Sequence, residues 1–362
     1  MHIILTILIT ILIFGVIIFI HEFGHFIVAR LCHVTVLEFS LGMGPVILKH
    51  QGKRTLYSLR LFPIGGFCSM EGEDAAGSGS VELPGKELPE EAAPPVEEPD
   101  PNAFNKKSVP ARIAISAAGA FMNILLGFAI ILSLVAFQPY YISPVIAQFN
   151  EDAPAGISTL QEGDKILKMN KTSIVFYTDI SFELSRDSDS IVDMVVLRDG
   201  KKVSLPAINF SVKGEDGKLY WSPGFKVTRV SPSFFGAFDY AGRQTFSLMR
   251  NSILSISDLV TGRIGLSELS GPVGVGQVVG QAAQAGLMSV LSLAAFISIS
   301  IGIFNLLPFP ALDGGRIVFL LLEAVRRKPV NPKWEGYINA AGLILLFGLM
   351  IVVTLKDIIG LF

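Results

Sequence analysis

Apolar residues crowd into four long runs, at about residues 3–29, 111–137, 288–312 and 337–355, and the intervals between them are mixed or polar. Each run is long enough to cross a hydrocarbon core, which takes about 20 helical residues, so the pattern predicts four transmembrane helices. The first run has no basic start or small-residue cleavage site and is longer than a signal-peptide core, so it is expected to remain as a span. In the first interval, residues 54–70 alternate in part. Tyr57, Leu59 and Leu61 fall on one side, Ser58, Arg60 and Phe62 on the other, and a turn is expected at Pro63 and Gly65-Gly66. Residues 72–101 are acidic and rich in proline, alanine and glycine, a composition that cannot bury enough apolar surface to fold alone. In the second interval, residues 141–210 hold a compact domain, with paired strands around Asp199-Gly200. Farther on, Phe246, Met249, Ile253 and Ile256 recur at helical spacing among Arg243, Arg250 and Arg263. That predicts an amphipathic helix, either on the outer membrane interface or packed on the preceding domain.

The division that follows is a first span at 1–30, a β region at 31–72, a flexible loop at 73–108 and a second span at 109–137. A folded domain at 141–210, an amphipathic region at 211–286 and spans at 288–313 and 335–358 complete it. Composition agrees: 51% of residues are hydrophobic and 17% charged, with a mean hydropathy of +0.55. The net charge of -2 says nothing about nucleic acid, and none is expected as a partner. Cys32 and Cys68 do not suggest a secreted disulfide scaffold. Arg30, Lys106, Lys107 and Arg112 flank the first loop, and Arg316, Arg326, Arg327, Lys328 and Lys333 crowd the third. Both loops are therefore expected in the cytoplasm. The first and third spans then run in the same direction, and residues near their ends lie at similar depth.

That parity bears on the chemistry. His21-Glu22-Phe23-Gly24-His25 lies inside the first apolar run. Residues four apart share a helix face, so the two imidazoles can bind one metal while Glu22 faces the adjoining space. Ionisable groups at membrane depth are costly unless they bind something or line a wet cavity. The plainer alternative is a pair of histidines satisfied by polar neighbours. The third run ends in Asn305-Leu306-Leu307-Pro308-Phe309-Pro310-Ala311-Leu312-Asp313-Gly314-Gly315-Arg316, where Asp313 is the expected third ligand. Two histidines and a carboxylate form an established catalytic zinc set that leaves a position open. Its alternative is a turn residue before the paired glycines.

These residues resemble the site-2 proteases, intramembrane zinc metalloproteases, and in particular their bacterial branch with one PDZ domain. Supporting similarities are Phe39-Ser40-Leu41-Gly42-Met43-Gly44-Pro45, Pro63-Ile64-Gly65-Gly66-Phe67, Ala118-Gly119 with Asn123, and Ser270-Gly271-Pro272-Val273-Gly274-Val275. Ala153-Pro154-Ala155-Gly156-Ile157 and Gly163-Asp164-Lys165-Ile166-Leu167 are similar to a bacterial PDZ module, although Ala147 stands where glycine is usual. Ala120 replaces a common proline, and Arg316 stands where histidine often follows the glycines.

The resemblance implies a membrane α-helical fold with about four transmembrane helices, a membrane-associated β element and an inserted α+β PDZ domain. It implies Zn2+ held by His21, His25 and Asp313, with Glu22 as general base and proton carrier to the leaving amine. Asn305 is implied to hold substrate or its oxyanion, with an interhelical hydrogen bond as the alternative. The β element is implied to present backbone groups to an extended substrate. Expected partners are the lipid bilayer and pre-trimmed, membrane-anchored proteins such as anti-sigma factors or remnant signal peptides. The expected setting is the bacterial inner membrane, with the active site toward the cytoplasm and the PDZ domain outside. A transporter with buried ionisable groups and a zinc-free peptide-binding relative are the rival readings.

Overall fold

The computed structural model describes residues 2–73, 101–187, 189–214, 219–265 and 268–360. Most of the loop expected at 73–108, namely 74–100, lies outside the described residues. The helices are α1 (His2–Leu31), α2 (Val109–Ala136), α3 (Thr178–Arg186), α4 (Phe234–Val260), α5 (Pro272–Ala285), α6 (Leu287–Asn305), α7 (Asp313–Arg326) and α8 (Pro332–Ile359). The strands are β1 (Val36–Gln51), β2 (Leu56–Met70), β3 (Tyr141–Phe149), β4 (Lys165–Met169), β5 (Thr172–Ser173), β6 (Ile191–Arg198), β7 (Lys201–Asn209), β8 (Ser211–Lys213), β9 (Leu219–Trp221) and β10 (Phe225–Val230). They form two compact units, Met1–Gly127 with Ser257–Phe362, and Phe128–Ile256.

In the first unit, α1, α2, α6 and α8 are long and apolar enough to cross a membrane. Ile4, Leu8 and Leu12 of α1 are more than half exposed, as side chains facing lipid are. Helix α2 is held by close backbone approach. A Cβ at Gly24 of α1 would lie 2.5 Å from the Ala118 carbonyl oxygen, and one at Gly302 of α6 would lie 2.8 Å from that of Ala120. Small residues allow such contact between membrane helices, and Ser298 adds a hydrogen bond of 2.7 Å from its hydroxyl to the Asn123 carbonyl.

The stretch expected as a span at 288–313 is divided. Helix α6 stops at Asn305 because Pro308 and Pro310 lack the N–H that would continue it. After a turn, in which Ala311 takes a φ of +70°, Asp313 opens α7. The paired glycines make the turn possible: a Cβ at Gly314 would lie 2.1 Å from the Leu307 carbonyl oxygen, and one at Gly315 2.3 Å from that of Phe309.

The strand expected at 54–70 is half of a larger sheet. β1 and β2 each double back, so Phe39 pairs with both Tyr57 and Cys68, and Leu59 with both Leu41 and Leu48. Four passes result, in the order 46–51, 56–62, 36–43 and 66–70, with Gly42 and Gly44 at positive φ where β1 bends. The last pass is an edge strand. Cys68 on it is a free, buried thiol, pushed up in pKa by that burial.

In the second unit, five strands run in the order β10-β3-β4-β6-β7, with β5 on β4 and a separate β8–β9 hairpin. Ile146, Ile166, Leu184, Met194 and Phe210 fill its core. The expected hairpin is β6–β7, closed by Arg198 opposite Lys201, with Asp199 and Gly200 both at positive φ as a tight hairpin turn requires. β10 lies past the expected boundary at residue 210. Its buried Phe225 opens the edge strand beside β3.

Helix α4 settles onto this module through its polar face. Fully buried Asp179 accepts from the backbone N–H of Val175 and Phe176 at 2.9 and 2.8 Å and from Asn251 at 3.2 Å, and pairs with Arg250 at 2.8 Å. Phe246 and Ile253, on another face of α4, stay exposed.

Buried Asp164 is gripped by Arg198 through Nε at 2.8 Å and Nη2 at 2.7 Å. Burial opposes ionisation, but the Arg198 hydrogen bonds outweigh it and hold the carboxyl below its ordinary range. A carboxyl with a lowered folded-state pKa contributes stability above its unfolded value of about 3.9, and loses it as pH falls further. Acid unfolding of the module, followed by circular dichroism, should therefore steepen below about pH 4, and Asp164→Asn should flatten that limb.

Candidate active site

His21 and His25 sit one turn apart on α1, and α7 brings Asp313 to them. Nε2 of His21 lies 3.2 Å and Nε2 of His25 3.5 Å from Oδ2 of Asp313, and the two Nε2 atoms are 3.3 Å apart. The carbonyl of Ile115 accepts a hydrogen bond of 2.8 Å from Nδ1 of His25. A carbonyl only accepts, so Nδ1 carries the proton and Nε2 turns a lone pair into the cluster. Oδ2 of Asp313 is buried and has no hydrogen-bond donor. Three electron-rich atoms thus face one another at close range, an arrangement that a cation relieves.

The spacing suits zinc. With ligand bonds of about 2.0–2.1 Å, the edges of a tetrahedral zinc site are about 3.3 Å. The triangle also fits the two-imidazole, one-carboxylate donor set, with a fourth direction left open.

Helix α2 supplies the seat beneath the imidazoles. Besides Ile115, it places fully buried Asn123 with its amide 3.3 Å from Nδ1 of His21. Its Nδ2 makes that contact, and Oδ1 is buried without a hydrogen-bond partner. Turned by half a rotation, the nearly isosteric amide accepts from Nδ1–H of His21 and leaves its Nε2 free, the usual outer support of a metal-binding histidine. Gly119 completes the cradle: a Cβ there would lie 2.4 Å from Nε2 of His25 and 2.8 Å from Nε2 of His21. In the sequence, Gly119 and Asn123 stand out only as positions of a shared motif. Their roles depend on the α1–α2 crossing, which no local pattern encodes.

Glu22 faces the β edge. A Cβ at Gly66 would lie 3.1 Å from Cγ of Glu22, so the strand 66–70 runs directly past this carboxylate. Asn305 is the last residue of α6 and is partly buried. Among the described residues no hydrogen bond ties its amide to another helix.

The model of peptidase family M50 matches residues 9–349. The chain belongs to peptidase family M50. Relatives bear out the match along its whole length. A putative zinc metalloprotease of Clostridium acetobutylicum is 35% identical over 98% of this chain and 97% of its own. One of Fusobacterium nucleatum is 33% identical over 99% and 100%. The regulator of sigma-W protease RasP of Bacillus subtilis is 31% identical over 99% of both chains. This M50 member is therefore a membrane zinc metallopeptidase of the site-2 protease family, as the motifs implied.

Proposed function

We propose that His21, His25 and Asp313 hold the zinc and that Glu22 is the general base of an endopeptidase cutting within the membrane. One observation carries this: three donor atoms from distant parts of the chain meet within 4.8 Å of one another. Two of them stand on a helix apolar enough to span a bilayer. Zinc, when bound, supplies a Lewis acid that polarises the scissile carbonyl. Glu22 takes the proton of the attacking water and carries it to the leaving amine. Asn305 offers a neutral N–H donor to substrate or to developing negative charge. A helical substrate must be extended before its peptide bonds are open to water. The edge strand 66–70 beside Glu22 suits that task, since its outer backbone groups can pair with an added strand.

In this proposal the substrates are membrane-anchored proteins already trimmed by another protease, with anti-sigma factors and remnant signal peptides as the classes. RasP, named as a regulator of sigma-W, supports the first class. The domain at 141–210 is read as a single PDZ domain outside the bacterial inner membrane that excludes bulky, untrimmed substrates, and the active site lies toward the cytoplasm.

The test uses purified enzyme in detergent with a one-span model substrate. Chelation should abolish cleavage and added Zn2+ should restore it. Asp313→Asn should lower bound zinc by about tenfold or more at limiting metal, since it removes a charged ligand. Full zinc stoichiometry in Asp313→Asn would remove it from the ligand set.

A further inference from the structure

We propose that Glu73 and Arg316 form a clasp that holds the Asp313 turn in register with the edge strand, which makes both of them positioning residues for cleavage. This rests on the proposed roles of Asp313 and of strand 66–70. Arg316 lies three residues beyond Asp313 in the first turns of α7, so the two share a helix face. Its guanidinium is ion-paired with Oε1 of Glu73 and stacks on the buried Phe104 ring, 4.2 Å from the centroid. Oε2 of Glu73 accepts a hydrogen bond of 3.0 Å from the backbone N–H of Met70, the last residue of β2. One carboxylate thereby joins the end of the strand that passes Glu22 to the helix that carries Asp313.

The surroundings fix the clasp from both sides. The Glu73 side chain is only 2% exposed. The segments that flank residues 74–100 meet there: the Phe104 N–H donates to the Glu71 carbonyl at 2.7 Å, and the Glu71 N–H to that of Thr35 at 2.9 Å. A second ion pair, Arg112 with Glu323, ties α2 to the same helix seven residues further on. Removing either member of a buried pair leaves an uncompensated charge, so neither half is dispensable. Arginine suits the site because its planar fork can pair and stack together, which a lysine ammonium cannot reproduce. Loss of the clasp frees the strand end from the Asp313 turn and spoils their alignment. An extended substrate still adds to the strand, so turnover suffers more than binding.

The experiment compares full-length Glu73→Gln, Arg316→Met, the double variant and Arg316→Lys in detergent. Each single variant should lower kcat by about tenfold or more while KM moves far less, the scale at which outer-shell positioning acts. Zinc should pass to a competing chelator faster, and the Met70 amide of the metal-free protein should exchange faster in Arg316→Met as well as in Glu73→Gln. The double variant should be no worse than the poorer single one, as members of one unit behave. Arg316→Lys should be intermediate, and it carries the test if Arg316→Met does not fold. Single variants within about twofold of wild-type kcat, or effects that multiply in the double variant, overturn the clasp. Glu22→Gln in the same assay separates the two levels. If it is inactive while the clasp variants are normal, only the clasp is wrong; if it is active, the site itself has been misassigned.

Discussion

A Glu22→Gln enzyme should bind zinc as the wild type does and cleave a one-span substrate more slowly by about two to four orders of magnitude, the contribution of a positioned general base. Glu22 is not among the three clustered donors, so its loss leaves the metal triangle intact. Glutamine keeps the side chain's length and its packing against Gly66, where an added Cβ would lie 3.1 Å from Cγ of residue 22. Only the group that can take up a proton is lost. Metal analysis and initial rates on the same preparation check both halves. Retained zinc with undiminished cleavage would take Glu22 out of the mechanism, and lost zinc would show that it supports the ligands. Asp313→Asn predicts the reverse order of events, with zinc going first and cleavage following. The two variants together therefore separate proton transfer from metal holding.

The parts of this site that could be read from the sequence are those set by local geometry. That His21 and His25 lie together is legible because four residues nearly complete a helical turn, and that Asp313 meets them follows because two spans of like direction bring their ends to one depth. The spans are legible because lipid imposes a composition. What the sequence hid depends on contacts between distant segments. The sheet of β1 and β2 doubles back on itself, so partial alternation at 54–70 revealed one strand direction and not the four passes. The turn at 306–312 reads as part of the preceding span because its residues continue an apolar run, yet Pro308 and Pro310 end α6 at Asn305, and α7 beyond it leaves no mark in that run. Helix α4 turns a polar face inward toward Asp179, the reverse of the pattern that identifies a soluble helix. Two of the arginines that helped orient the chain, Arg112 and Arg316, are engaged in internal ion pairs.

Gly119→Ala is expected to empty the metal site while sparing the fold. Alanine is favoured over glycine inside a helix by about 1 kcal/mol, and crowding a packed site costs about 1–3 kcal/mol, so net stability should change little. The new methyl group, however, would lie 2.4 Å from Nε2 of His25 and 2.7 Å from Cε1 of His21, well inside contact distance. Neither ring has an easy retreat. His25 is tethered to the Ile115 carbonyl, His21 faces Asn123, and the Gly24–Ala118 contact fixes the separation of α1 and α2. The strain therefore falls on the two Nε2 atoms, and zinc affinity should drop by about 10-fold to 100-fold or more, with cleavage lost in step. Gly348→Ala is the matched control, because a Cβ there meets nothing within 4 Å. Zinc per chain after chelator competition, thermal unfolding and cleavage rate together test the expectation. If Gly119→Ala keeps its metal, the two imidazoles do not grip an ion where α1 meets α2, and their assignment as ligands fails with it.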